Sequence, residues 1–96
     1  MQPDVDQPCA LCGTVSPCST TDSGSAQYFK CPNDNCGPSE IVQGARSHFK
    51  GFDTALNKAL SQQAAQARRK GMVLRVWHDY ETGQLRHDLK SPTELE

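Results

Sequence analysis

The chain has little material for a core. Of its 96 residues, 35% are apolar and 6% aromatic, with one tryptophan. That apolar share is low for a globular domain. So thin a core stabilises a fold only marginally, and a staple is expected. No run approaches the ~20 apolar residues of a membrane span. The N-terminal Met1-Gln2-Pro3-Asp4-Val5-Asp6 is polar and acidic with no apolar stretch behind it, so no signal peptide is expected and the setting reads as reduced and cytoplasmic. Internal repeats and low-complexity tracts are absent. A large net charge is absent too: the formal value is −1, which argues against general nucleic-acid adhesion. Also missing are a G-x-S-x-G elbow, an H-E-x-x-H pair and a glycine-rich phosphate loop. His78-Asp79 can be drawn as a base with an orienting carboxylate, but neighbours on a strand point to opposite faces. His48, His78 and His87 therefore read as surface or satisfied core residues, and no catalytic residue is expected.

What the chain does have is cysteine in pairs. Cys9-Ala10-Leu11-Cys12-Gly13 gives C-x2-C, and Cys31-Pro32-Asn33-Asp34-Asn35-Cys36-Gly37 gives C-x4-C, with 18 residues between them. Zn(II) takes four thiolates at tetrahedral corners about 2.3 Å away. A short Cys-x-Cys turn can aim two sulfurs at one ion, and two facing turns close the site. Each pair ends in glycine, which tolerates the positive φ of a tight turn, and Pro8 and Pro32 stiffen the approach. Cys9, Cys12, Cys31 and Cys36 are therefore the expected ligands of one Zn(2+) per chain. Four sulfurs leave no open position for water, so the metal is structural. Disulfides or unrelated thiols are the alternative.

At these residues the chain resembles the zinc-ribbon superfamily, over roughly residues 7–43. The first turn, Pro8-Cys9-Ala10-Leu11-Cys12-Gly13, is a close fit. The second departs from the commoner C-P-x-C-G form by two extra residues around Asp34-Asn35. The resemblance implies a small antiparallel ribbon on one zinc and no single function. The ribbon-then-helix layout is similar to that of small bacterial and phage zinc-ribbon proteins. Cys18 is left over. It can be an inert apolar residue, a redox-active thiol or an alternative ligand; most free cysteines are the first.

Residues 1–7 are expected to be disordered. Strands are expected over 14–20, 26–30 and 40–43, with a turn at 21–25. Ala45, His48, Phe49, Phe52, Leu56, Ala59, Leu60, Gln63, Ala64 and Ala67 then recur at three and four, the mark of one apolar helical stripe. The helix ends at Arg68-Arg69-Lys70-Gly71, with cations at its C-terminus and a glycine beyond. Its start is placed near Gly44, with Asp53 after Gly51 as the other choice of N-cap. Period two over 72–78 reads as a strand, Glu81-Thr82-Gly83 as a turn and 84–89 as a partner strand. The expected fold is a small α+β unit: an N-terminal zinc ribbon (7–43), one long amphipathic basic helix (44–71), then a C-terminal strand or hairpin (72–90) packed on the helix.

The charge is uneven. Residues 1–43 carry one lysine against five acids, residues 44–71 six cations against one acid, and residues 72–96 three cations against five acids. The helix is a basic island. One reading is a face that meets phosphate through Arg46, Lys50, Lys58, Arg68 and Arg69, or an acidic protein surface. The other is a solvated helix face whose last cations serve the dipole. Tyr28 and Phe29 are core residues or, on the first reading, stack on bases. The leading function is a non-enzymatic structural-zinc protein that binds a macromolecule, nucleic acid before protein. The rival is a protein-interaction module or adaptor, dimeric in one version, using Trp77 and Tyr80; a thiol enzyme built on Cys18 comes last.

Overall fold

The computed structural model describes residues 4–21, 24–49, 51 and 54–94. The strands are β1 (Val5–Pro8), β2 (Val15–Thr21), β3 (Ala26–Phe29), β4 (Ser39–Val42), β5 (Val73–Asp79) and β6 (Gln84–Lys90). A 3-10 helix (Gln43–His48) and then the α-helix α1 (Ala55–Arg69) lie between β4 and β5, and a 3-10 turn (Pro92–Glu94) follows β6. The six strands form one sheet in chain order. Strands β1 to β4 run as an antiparallel meander, β4 pairs with β5 in parallel, and β5 and β6 form a hairpin. A parallel step needs a long crossover, and α1 lies within it.

This corrects the expected architecture of an N-terminal zinc ribbon, one long helix and a C-terminal strand or hairpin. Two pairings overturn it. Residues 5–7, expected to be disordered, belong to β1, which pairs with β2 from Val5↔Cys18 to Pro8↔Val15. Pro8 stands at the end of an edge strand, where its missing N–H costs no ladder bond. Ser39↔Leu74 and Ile41↔Val76 then join the ribbon strands to the last hairpin. The two β regions are one sheet, and the helix is an insertion between its strands.

The helix also starts later than Gly44. Residues 43–48 wind as a 3-10 helix, and Gly51 sits at φ +147°, outside any helical conformation. Thr54 is the N-cap, its hydroxyl accepting from the Asn57 N–H at 3.2 Å. Phe52 and Asp53 lie outside the described residues. At the far end the Met72 N–H reaches the Ala67 carbonyl (2.8 Å) and the Gly71 N–H that of Arg68 (3.0 Å), a Schellman closure. The buried stripe is Asn57, Leu60, Ser61, Ala64 and Ala67. Leu56, Ala59 and Gln63, expected on it, are exposed. Leu60, Ala64 and Ala67 are common to both stripes, so the helix is turned by roughly 65° at 100° per residue from its expected seat.

Leu60, Ala64 and Ala67 pack with Phe29, Ile41, Leu74, Val76 and the thiols of Cys9 and Cys36. Large side chains such as Phe29, Ile41 and Leu74 contribute about 1.5–3 kcal/mol each on burial. Glu40 is 1% exposed. Its carboxylate accepts from Arg75 Nε (3.0 Å), Lys90 Nζ (3.4 Å) and the Thr21 hydroxyl (2.7 Å), so the buried charge is paired and links β2, β4, β5 and β6. His78 hydrogen-bonds His48 (2.8 Å), while Asp79 accepts from Arg86 (2.7 Å). His78 and Asp79 therefore make separate partnerships. His87 is exposed.

Candidate metal centre

The meander brings two turns to one end of the sheet. Cys9 follows β1, Cys12 precedes β2, Cys31 follows β3 and Cys36 precedes β4. In the first turn the Gly13 N–H donates to the Cys9 carbonyl and the Cys9 N–H to that of Thr14, both at 2.8 Å. Gly13 takes φ +80° to permit this. In the second turn the Cys36 N–H donates to the Asn33 carbonyl (3.0 Å) and the Asn35 N–H to Asn33 Oδ1 (3.0 Å). This Asx turn takes up the two extra residues. Asn33 Nδ2 also donates to Thr14 Oγ1 at 3.1 Å, tying one turn to the other.

The sulfurs of Cys9, Cys12, Cys31 and Cys36 lie within 4.8 Å of one another, and Cys12 and Cys31 are 3.4 Å apart. Tetrahedral bonds of about 2.3 Å set sulfurs about 3.8 Å apart, so the donor set fits one metal ion with small adjustments. Cys9, Cys31 and Cys36 are buried, and Cys12 is half-buried. The cluster is compatible with a zinc ribbon. Cys18 packs in the core, where burial pushes its thiol up. The Cys36 thiol is pushed down to about 5, chiefly by the hydrogen bond from Cys9 and with help from the Ser61 hydroxyl. The same bond, together with burial, holds Cys9 far above its ordinary value. Burial pushes Cys31 up to about 11. An incoming ion must therefore displace protons from Cys9 and Cys31.

Helix α1 is built into this centre. Asn57, Ser61, Ala64 and Arg68 recur along one side of it. Asn57, fully buried, donates from Nδ2 to the carbonyls of Ala10 and Leu11, both at 3.1 Å. Ser61 reaches Cys36. Ala64 lies against Gly37, where an added Cβ would stand 2.1 Å from the Ala64 carbonyl oxygen. Arg68 donates to the carbonyls of Asn33 (3.2 Å) and Cys31. Sequence reasoning missed this clasp. Its signal was present: Asn57 and Ser61 each sit three residues before an apolar stripe member, Leu60 and Ala64, on the same side of the helix.

No family model, curated protein or solved structure matches the chain.

Of the five basic residues expected at phosphate, the four described ones lie on two elements and differ in what they engage. Arg46 lies on the 3-10 helix, donating to Gln27 Oε1 with its guanidinium 6.0 Å from the Phe29 ring. Lys50 lies outside the described residues. Arg68 is half-buried and engaged with the second turn. Lys58 and Arg69 are exposed and line one groove of about 620 Å³ between α1 and Asn33–Asn35. Tyr28 and Phe29 are buried, at 6% and 0% exposed, so they offer no stacking platform. Trp77 is half-buried beneath Arg75, whereas Tyr80 is 82% exposed. Among the described residues no helix is long and apolar enough to cross a membrane.

Proposed function

We propose that the chain is a non-enzymatic protein in which Cys9, Cys12, Cys31 and Cys36 hold one structural zinc ion, and which binds nucleic acid through its basic helix. The observation that carries the metal reading is the set of four sulfurs within 4.8 Å. Four thiolates suit zinc and fill its coordination, leaving no place for an activated water. The ion would supply cross-linking of the two turns. Asn57, Ser61 and Arg68 position those turns from outside, the kind of support that metal ligands need from their surroundings.

Nucleic acid is favoured over an acidic protein surface by Lys58 and Arg69. Both are exposed, both line the groove beside the metal centre, and neither side chain has a hydrogen bond or ion pair among the described residues. A fluorescence anisotropy titration of labelled oligonucleotides tests the reading. Binding should weaken with salt at a log–log slope of about −0.7 to −0.9 per phosphate contacted. Reversing Lys58 and Arg69 to glutamate should lower affinity and flatten that slope with zinc content unchanged. Arg68 is unsuitable for this test because it holds the second turn. Absence of binding at low ionic strength, where attraction is strongest, would defeat the nucleic-acid reading and leave a protein partner.

A further inference from the structure

We infer that the groove between α1 and the second cysteine turn receives a base of single-stranded nucleic acid, with phosphates on either side of it, not adjacent in the strand, on Lys58 and Arg69. The inference rests on the nucleic-acid reading above and deepens it. Lys58, Gln62, Gln66 and Arg69 share the side of α1 next to the metal clasp, and Asn35 stands on the opposite wall. The side-chain amides of Asn35, Gln62 and Gln66 have no hydrogen-bond partner among the described residues, and all three residues are exposed. The groove therefore brings together three unengaged amides and two unpaired cations.

Charge decides what lies where. Four thiolates and one Zn(II) leave a net −2 beneath this groove, and Cys12 and Asp34 both line it. A phosphate backbone along the floor would be repelled. The cations stand at the ends, 11 positions apart on the helix, which is about 16 Å of rise. Phosphates suit those ends and a neutral base suits the floor. The amides can pair with a base edge, as Asn and Gln do. Asp34 accepts but does not donate, so it favours a base with an exocyclic amine. No aromatic ring lines the groove among the described residues, so the grip depends on edge hydrogen bonds rather than stacking. Duplex is disfavoured: for α1 to enter a major groove about 12 Å wide, the wall at Asn33–Asn35 would have to enter with it.

The test compares labelled oligo(dA), oligo(dC), oligo(dT) and an oligo(dA)·oligo(dT) duplex of equal length at low salt. Single-stranded dA and dC should bind about tenfold or more tighter than dT and the duplex, as one good base-edge pairing allows. The double variant Gln62→Ala/Gln66→Ala should lose that preference while keeping its zinc and its salt slope, since no phosphate contact is removed. Should that variant not fold, Asn35→Ala on the other wall reads the same quantity. Equal binding of all four probes, or variants that discriminate as the parent does, overturns the groove inference and leaves nucleic-acid binding standing. No binding to any probe overturns both. Displacement of bound oligo(dA) by polyglutamate at equal charge concentration, with the double variant displaced alike, assigns the cations to an acidic protein and also overturns the inference.

Discussion

Truncating Asn57 tests the clasp between helix and metal centre. Asn57→Ala removes two hydrogen bonds of 3.1 Å and leaves the Ala10 and Leu11 carbonyls unpaired beneath the helix. A buried polar group left without its partner costs about 1–3 kcal/mol, so the pair should cost about 2–5 kcal/mol. At this chain length 1 kcal/mol moves the melting point by about 4–8 °C, so a fall of roughly 10 °C or more is expected. Leu56→Ala is the control: the side chain is 36% exposed, and a surface change of this kind costs less than about 1 kcal/mol. Urea unfolding by far-UV circular dichroism, at one buffered free-zinc concentration because bound metal shifts apparent stability, gives both values. Were Leu56→Ala the more damaging, or Asn57→Ala within about 0.5 kcal/mol of the parent, the helix would be seated on its Leu56–Ala59–Gln63 side and the clasp would be refuted.

Three further outcomes follow from the same geometry. Gly37→Ala would place a Cβ 2.1 Å from the Ala64 carbonyl oxygen, so it should undock α1 and lower zinc retention on gel filtration; a variant with unchanged melting and zinc content would contradict the close approach. Cys18→Ser should keep the full zinc content, read by metal analysis, since Cys18 is absent from the four-sulfur cluster; buried at 4% exposure, it should cost about 1–3 kcal/mol for a hydroxyl in an apolar site. Zinc affinity should rise with pH. Burial pushes Cys31 up to about 11, and Cys9 lies above its ordinary value, chiefly through its bond to Cys36. Below those values both thiols hold protons until the ion displaces them, so zinc releases protons on binding and is favoured as pH climbs. Competition with a chromophoric chelator from about pH 6 to 8.5 measures this, and a flat response would contradict the protonated starting state.

The ligand turns and most strands were legible in the sequence because each is specified within a few residues. A Cys-x-Cys turn ending in glycine, or the period-two run from Val73 to His78, carries its own signal. What was not legible depends on distant partners. Val5–Pro8 has no strand composition and is ordered by pairing with β2. The β4–β5 pairing joins segments separated by the whole crossover, and nothing local announces it. The helix start was misplaced because Ala45, Phe49 and Phe52 extend the apolar spacing across Gly51, whose φ of +147° ends any helix. Apolar spacing at three and four runs the stripe through Leu56. The seat is in fact chosen by small and polar residues, Asn57, Ser61 and Ala64, which fit against the turns. Arg68 looked like a dipole cation, and its work on the Cys31 and Asn33 carbonyls needed the second turn in place.

The most direct test of the structural metal is native mass spectrometry of the full chain purified under reducing conditions, followed by hydrogen exchange before and after chelation. One zinc ion per chain is expected, with protection of both cysteine turns and of α1 lost together when the ion is withdrawn, because site formation and folding share one free energy. A chain that carries no metal and keeps the protection of α1 and the turns would contradict it.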